Sequence, residues 1–554
     1  MFEQISLLFC DNKRKLLMND QPPSWIKDLK LDSLLDIMCA GSPNPACRRI
    51  MTAVLSELNN DPETIDYRYD ILQDFCREPV LLETLRQVLA RLETIERDRQ
   101  SAARMRNRVT AEYKLAKEIS IFMEYGEIYK KLASALSAHQ KACRSKGLKN
   151  LAASIHNDLA QADFRELTQM LFNLKQCLKG YLRIKLQVRM DTSFKLTDAR
   201  ILDIDSNGFG ADCLGKEAYS GHSLAQEVKN LLQGGKGKDD AYPVKQIDYL
   251  LEQNVQEVKD KALLSIAAIL EVLSARNSAY LRKLADELVY YEGAGKLAAV
   301  MQQCDLVSAH AVIVPSAKRC LQANGLYDLS FALYLYKTGQ NRPMELIVSN
   351  DVAFNETGRI QIISGPNQGG KTTYLRAIGI LQVLAQAGLP IPAAQADISP
   401  ADQIFTHFPV DEMPESHEGR LGEELDRMLA ILKQATPDSL ILMNESFAST
   451  NAREGSQIAE NVLSAIALIG TRCAFVTHLY EFAGKVDFIN QTVQARQAGA
   501  ARLISMAAQY EDARPESDRT QDGPVRLRTY RILPGPPAKS SFAADIARQF
   551  GIRR

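Results

Sequence analysis

The chain has 554 residues, 46% of them hydrophobic and 24% charged, which is enough for about two to four packed domains. Its 67 basic and 67 acidic side chains give zero formal net charge. That excludes a nucleic-acid binder announced by bulk charge and leaves only a local patch for such a role.

The short apolar run Ile5 to Phe9, followed by Asp11, Lys13, Arg14 and Lys15, has the wrong length and charge order for a secretory signal. No apolar run approaches a membrane span. Ten cysteines, scattered from Cys10 to Cys473 without a C-x-x-C pair, read as reduced thiols of a cytoplasmic protein.

Up to about residue 320 the pattern predicts helices. Leu85, Val88, Leu89, Leu92 and Ile95 recur at helical spacing. Arg183 to Arg189 alternates polar and apolar residues and predicts a strand, with Ala199 to Ile204 as its partner. Residues 141–190 carry Lys141, Arg144, Lys146, Lys149, Arg165, Lys175, Lys179, Arg183, Lys185 and Arg189 against only Asp158, Asp163 and Glu166. The stretch reads equally as a phosphate-contacting surface and as a solvated helix face. The glycine-rich run Gly234 to Lys238 predicts a mobile loop. Pro243 opens a helical pattern through Ile247, Leu251, Val255 and Val258, and Leu263 to Leu273 is nearly all apolar. This predicts one long helix, or two in tandem, broken near Gly293 and Gly295. Such a helix is suited to carrying motion between distant sites.

From about residue 320 short apolar strands alternate with helices, the mark of an α/β domain with a largely parallel sheet. Ile360 to Ser364 predicts a buried strand, and Thr373 to Ala387 a helix ending at Gly388. Between them Gly365-Pro366-Asn367-Gln368-Gly369-Gly370-Lys371-Thr372 fits G-x-x-x-x-G-K-[ST], the phosphate-binding P-loop. The chemistry needs this context. Glycines let backbone N–H groups close on phosphate oxygens, and the helix N-terminus adds partial positive charge. Lys371 reaches the β- and γ-phosphates, and the Thr372 hydroxyl ligates Mg²⁺. Such a loop binds a nucleoside triphosphate.

Two further strands aim at the same edge. Ser439 to Met443 ends in Asn444-Glu445, where a glutamate can orient an attacking water. Cys473 to Thr477 ends in His478, which can sense the γ-phosphate. All three groups fall at strand C-termini, where open α/β sheets bind ligands. Residues 511–524 predict a polar surface loop, and Arg526 to Leu533 resumes a strand.

From about Ile347 onward these residues resemble the MutS family of ABC-type ATPases. Ser364 to Arg376 is similar to that family's TGPNMGGKSTYLR, Pro392-Ala393-Ala394 to VPA, and Asp402 to Thr406 to DRIFTR. Ala435-Thr436 with Ser439 to Glu445 resembles ATxxSLVLMDE, Thr477-His478 its ATH, and Ser540 to Ala547 its SYGLQVA helix. Asn350-Asp351 stands where the family has an Asn-containing segment. Leu35 to Asp61 and Arg68-Tyr69-Asp70-Ile71-Leu72 are similar to the opening of the family's helical core.

The resemblance implies a multidomain protein. Residues 1–320 would form a mostly α-helical core, lever and clamp region with a small β insertion around 181–215. Residues 321–554 would form an α/β P-loop ATPase domain. It implies a homodimer with ATP and Mg²⁺ at the subunit interface, Thr372 and Asn444 on the metal, and Glu445, Lys371 and His478 in catalysis. The Gly365 to Thr373 loop would hold the nucleotide, including Pro366, Asn367, Gln368, Gly369 and Gly370. Ile347 and Val348 would pack on the adenine, though as residues they read equally as strand core. The partner nucleic acid would be DNA.

The chain also departs from the family. On this resemblance it would begin almost at the core, without room for the mismatch-reading domain, and Phe2-Glu3-Gln4 is not the family's Phe-x-Glu reading motif. Asn444 replaces the Walker B aspartate. Gly419 to Leu425 stands where the family's STFMVEM contacts the partner's ATP, and only Glu424 aligns. The expectation is a short relative that hydrolyses ATP to switch its hold on DNA and does not read single mismatches. The alternative is a slow or non-hydrolysing ATP-gated clamp on branched DNA or structured RNA.

Overall fold

The computed structural model describes residues 4–18, 21–104, 110–177, 182–190, 196–206, 248–366, 368–409, 419–512 and 526–536. By packing, the chain divides into two compact units: residues 1–7 with 77–288, and residues 8–76 with 289–554.

The first unit is helical. Pro79–Arg104, Ala111–Ala138, Lys146–Ala160 and Ala162–Cys177 form its helices, together with the first part of Asp248–Gln303. The stripe Leu85, Val88, Leu89, Leu92 and Ile95 is buried, as its spacing requires. Thr110 and Ser145 cap their helices by accepting from the backbone N–H groups of Tyr113 and Leu148. Strands β1 (Leu182–Met190) and β2 (Leu196–Ser206) pair antiparallel, with Arg183 opposite Asp205 and Arg189 opposite Asp198. Lys141, Arg144, Lys146, Lys149 and Arg165 are exposed.

Asp248–Gln303 is one continuous helix of 56 residues. The expected break at Gly293 and Gly295 does not occur. Gly293 is there for close approach instead, since a Cβ would fall 2.5 Å from Met51 Cε and 2.9 Å from the Met38 carbonyl oxygen. By length and composition alone, Lys259–Gln303 is apolar enough to cross a membrane, which corrects the sequence reading. Its Leu263, Ile266, Ala267 and Leu270 pack in the first unit's core with Leu115, Ile119 and Leu171. Pro243 and the Gly234 to Lys238 loop lie outside the described residues.

The second unit is built on a six-stranded sheet. In chain order its strands are β6 (Ile360–Ser364), β8 (Ile404–His407), β9 (Leu440–Asn444), β10 (Arg472–Val476), β11 (Leu503–Asp512) and β12 (Arg526–Pro534). The spatial order is β12-β11-β6-β10-β9-β8, and all neighbours are parallel except β11 and β12. Every residue of β6, β9 and β10 is buried, as befits central parallel strands covered on both faces. A second sheet of four strands runs β3-β7-β4-β5, from Val312–Ile313, Gln395–Ile398, Leu321–Leu326 and Asn350–Phe354.

Helix Lys371–Ala387 follows β6 and is buried along almost its whole length, including Leu375, Ile378, Leu381 and Leu384. It ends at Gly388, whose φ of +77° supplies the left-handed cap. Arg472, at the start of β10, is fully buried. Its guanidinium donates to the carbonyl oxygens of Ser399 at 2.8 Å and Asp438 at 3.0 Å. These bonds compensate the burial of its charge and tie the sheet to the loops beneath it.

Candidate functional site

The strand order explains how three distant segments meet. β10 lies between β6 and β9, and the strands end in step, with Val476 opposite both Ile363 and Asn444. The segments after β6, β9 and β10 therefore emerge side by side: the Gly365–Gly370 loop, Asn444-Glu445 and Thr477-His478. Backbone bonds lock them there, from Glu445 N–H to the Val476 oxygen (2.8 Å) and from Thr477 N–H to the Ile363 oxygen (3.0 Å).

Among its described residues the loop turns through three of positive φ: Gly365 at +137°, Gln368 at +60° and Gly370 at +86°. At Gly365 a side chain would be strained and would also strike Ala508, 2.7 Å from the built Cβ. Gly370 is the N-cap, so the first-turn N–H groups of Lys371–Ala387 point out at the loop. Those N–H groups and the helix dipole make an anion site. Arg528 of β12 donates to Gln368 Oε1 at 2.8 Å and so braces the loop from the adjacent sheet edge.

Lys371 is buried, with its ammonium donating to the carbonyl oxygens of Gly365 (2.9 Å) and Pro366 (2.7 Å). Burial pushes its pKa down to about 8, against the opposing pull of Glu445. Glu445 carries a left-handed backbone, with φ of +50°. Its Oε1 lies 2.9 Å from His478 Nε2. That hydrogen bond holds the carboxyl below its ordinary range although burial opposes it.

Thr372 Oγ1 donates to Asn444 Oδ1 at 3.1 Å. Two oxygens that ligate one octahedral Mg²⁺ at right angles lie about 3.0 Å apart, given bonds of about 2.1 Å. The pair therefore fits that ion as neutral oxygen donors. Among the described residues no group of three or more His, Cys, Asp or Glu side chains forms an alternative metal cluster.

A cavity of about 480 Å³ opens over the loop. Its polar lining is made by Gln368, Gly369, Gly370, Lys371, Thr372, Thr373 and Glu445. Its apolar lining is made chiefly by Phe331, Leu346, Ile347, Val348, Tyr374 and Tyr530. The first suits a polyanion and the second a flat apolar group. Ile347 and Val348 belong to the loop ahead of β5 rather than to strand core, and Val348 is exposed.

Of the expected residues, Gly365, Pro366, Asn444 and His478 are not part of the cavity wall. Gly365 and Pro366 hold Lys371, while Asn444 and His478 stand behind Thr372 and Glu445. Asn367, the Ser540 to Ala547 segment and positions 513–524 of the polar stretch lie outside the described residues.

Tyr530 was not anticipated. It lies on β12, and its Cδ1 is 3.6 Å from where a Gly370 Cβ would stand. Asn350 clasps this strand, donating to the Tyr530 oxygen at 3.1 Å and accepting from Ile532 N–H at 2.7 Å. One aromatic in a polar strand gives no local signal, because only the fold brings it to a loop 160 residues away. Asp328 was also missed. It caps helix Leu329–Lys337, pairs with Arg376 at 3.0 Å and is pushed up by burial.

Comparison with known proteins matches residues 361–513 to the family model MutS domain V and residues 60–304 to the MutS2 N-terminal domain. The chain is 28% identical over 306 residues to an Endonuclease MutS2 of Shouchella clausii, covering 54% of this chain and 34% of that protein. It is 28% identical over 274 residues to an Endonuclease MutS2 of Lacticaseibacillus casei, covering 49% and 32%. It is 33% identical over 195 residues to a DNA mismatch repair protein MutS of Chlorobium phaeobacteroides, covering 34% and 22%. The matched stretches thus span about a third or less of these relatives' own length.

Proposed function

The chain belongs to the MutS family, and from that premise we propose that it is a Mg²⁺-dependent ATPase that uses ATP to switch its hold on DNA. The observation that carries this reading is the shared cavity. A glycine loop at a helix N-terminus, the Lys371 ammonium and the Glu445 carboxylate line one wall of it. His478 is hydrogen-bonded to that carboxylate from behind.

In this reading the first-turn N–H groups and Lys371 bind the β- and γ-phosphates and neutralise the charge that grows in the transition state. Thr372 and Asn444 hold Mg²⁺, which when bound supplies further neutralisation of the phosphate oxygens. Glu445 orients a water for in-line attack on the γ-phosphorus and takes its proton, and the bond to the ADP oxygen breaks. His478 fixes the Glu445 rotamer from behind the cavity wall. The adenine lies on the apolar lining, against Ile347 and Val348, with the Tyr530 ring available to stack.

The helical region of residues 1–320 would hold DNA, and the exposed Lys141, Arg144, Lys146 and Lys149 supply a basic surface for it. The protein would act as a cytoplasmic homodimer, which rests on the family alone.

Asn444 favours a second reading, a slow ATP-gated clamp. It gives the metal an oxygen without a charge, and so weakens the ion that turnover depends on. ATPase measured with mismatched duplex, branched DNA and structured RNA at one fixed salt concentration tests both. Acceleration by duplex DNA supports the switch, acceleration only by branched DNA or RNA supports the clamp, and no response to any nucleic acid sinks the DNA-switch proposal.

A further inference from the structure

The turn that carries Glu445 is strained at two places. Glu445 and Phe447, neither of them glycine, have φ of +50° and +65°, on either side of the buried Ser446. Left-handed residues persist only where their surroundings over-determine them. Three contacts do so here: one comes from helix Arg420–Gln434, and a second ties that helix to the turn through His407.

First, the Phe447 N–H donates to Glu424 Oε2 at 2.9 Å. The Glu424 side chain is only 12% exposed, so this bond is shielded from water and strengthened by the acceptor's charge. Second, His407, at the end of β8, bridges the same helix to the same turn. Its Nε2 lies 3.0 Å from the Glu424 carbonyl oxygen, and its Nδ1 lies 2.6 Å from Ser446 Oγ. A carbonyl oxygen can only accept, so Nε2 carries the proton and Nδ1 accepts from the Ser446 hydroxyl. Burial keeps the ring neutral, pushing its pKa down to about 4, and preserves this polarity. Third, the Phe447 ring is fully buried in the core of the unit, 5.7 Å between centroids from the His407 ring.

Glu424 does not line the cavity. Among the described residues it touches the site only through the turn. We infer that Glu424, with His407 and Ser446, is a clamp that holds the left-handed Glu445–Phe447 turn, so that helix Arg420–Gln434 sets the position of Glu445 from within the same subunit. Glu424 is thus a positioning residue. Where the family resemblance places a contact reaching outward to a partner's nucleotide, this chain turns its one aligned carboxylate inward. The inference rests on the reading of Glu445 as the water-orienting carboxylate. It adds that hydrolysis responds to the register of Arg420–Gln434.

The test is steady-state ATPase and calorimetric ATP binding on the full chain, for Glu424→Ala, Glu424→Gln and Ser446→Ala, each also made in a Glu445→Gln background. Leaving the Phe447 N–H without its partner lowers kcat by about 10- to 100-fold in Glu424→Ala, with ATP affinity within about threefold. Glu424→Gln keeps an acceptor oxygen in place and restores kcat to within about threefold. In the Glu445→Gln background Glu424→Ala costs nothing further, because both act through one group.

Wild-type kcat in Glu424→Ala overturns the clamp, and so does an equal loss in both backgrounds. If Glu424→Ala does not fold, Ser446→Ala carries the test, and undiminished kcat there overturns it likewise. Wild-type turnover by Glu445→Gln alone is a different failure, since it removes Glu445 from catalysis whatever Glu424 does.

Discussion

Burial of Lys371 makes ATP binding sensitive to pH. Its pKa is pushed down to about 8 with the ammonium folded onto the Gly365 and Pro366 oxygens. Only the protonated form can neutralise phosphate, so the apparent affinity scales with the protonated fraction. That fraction is about nine-tenths at pH 7 and about one-tenth at pH 9, for a pKa of about 8. The sign follows: affinity is full below pH 8 and lost as pH rises through it. The ATP dissociation constant rises about tenfold from pH 7 to pH 9, or about 1.4 kcal/mol. The second ionisation of a phosphate lies near pH 6, below this window. Calorimetry in two buffers of different ionisation enthalpy reads the linked proton directly. At pH 8.5 binding takes up about three-quarters of a proton, because that share of Lys371 starts neutral. Lys371→Ala binds ATP weakly and loses the pH slope. A dissociation constant flat from pH 7 to 9, with no proton uptake at pH 8.5, would refute the argument.

Asn444→Asp adds a charge to the oxygen that Thr372 already contacts at 3.1 Å, so half-maximal ATPase needs less Mg²⁺. The new carboxylate also raises the pKa of the adjacent Glu445, so turnover rises by no more than a few-fold. A Mg²⁺ titration of both proteins checks this, and a large gain in turnover would mark Asn444 as a simple defect. His407 predicts an acid-side loss of stability. Its folded pKa of about 4 lies below the ordinary 6.5, so the unfolded chain binds the proton first and stability falls as pH drops below 6.5. Between pH 7.5 and pH 5 the loss is about 2 kcal/mol. Urea midpoints at the two pH values should show that loss, and His407→Asn should flatten it; an unchanged slope in the variant excludes the buried ring as its source.

The phosphate-binding part of the site was legible because it is local. Ile360–Ser364, the glycine loop and the following helix are contiguous, and each element's composition agrees with its role. Asn444-Glu445 and His478 were legible because apolar strands end at each of them, and parallel strands deliver such ends to one edge. The apolar lining was only half legible, since Tyr530 and Phe331 reach the cavity through tertiary contacts that leave no periodicity. His407 and Ser446 were invisible for the same reason: their bond links residues 39 apart. Gly293 misled, because a glycine inside a helical pattern reads as a break when its real partner is Met51, far away in sequence. Nor did any local pattern place Leu8–Cys76 in the compact unit that holds the six-stranded sheet.

The central claim is that Glu445 orients the water that attacks ATP. It is tested most directly by measuring phosphate release and ATP binding side by side for the wild type and Glu445→Gln. Losing a group that acts in the transition state, the variant binds ATP within about threefold of wild type and turns over about 100-fold or more slowly. Equal rates of phosphate release from the two proteins would contradict it.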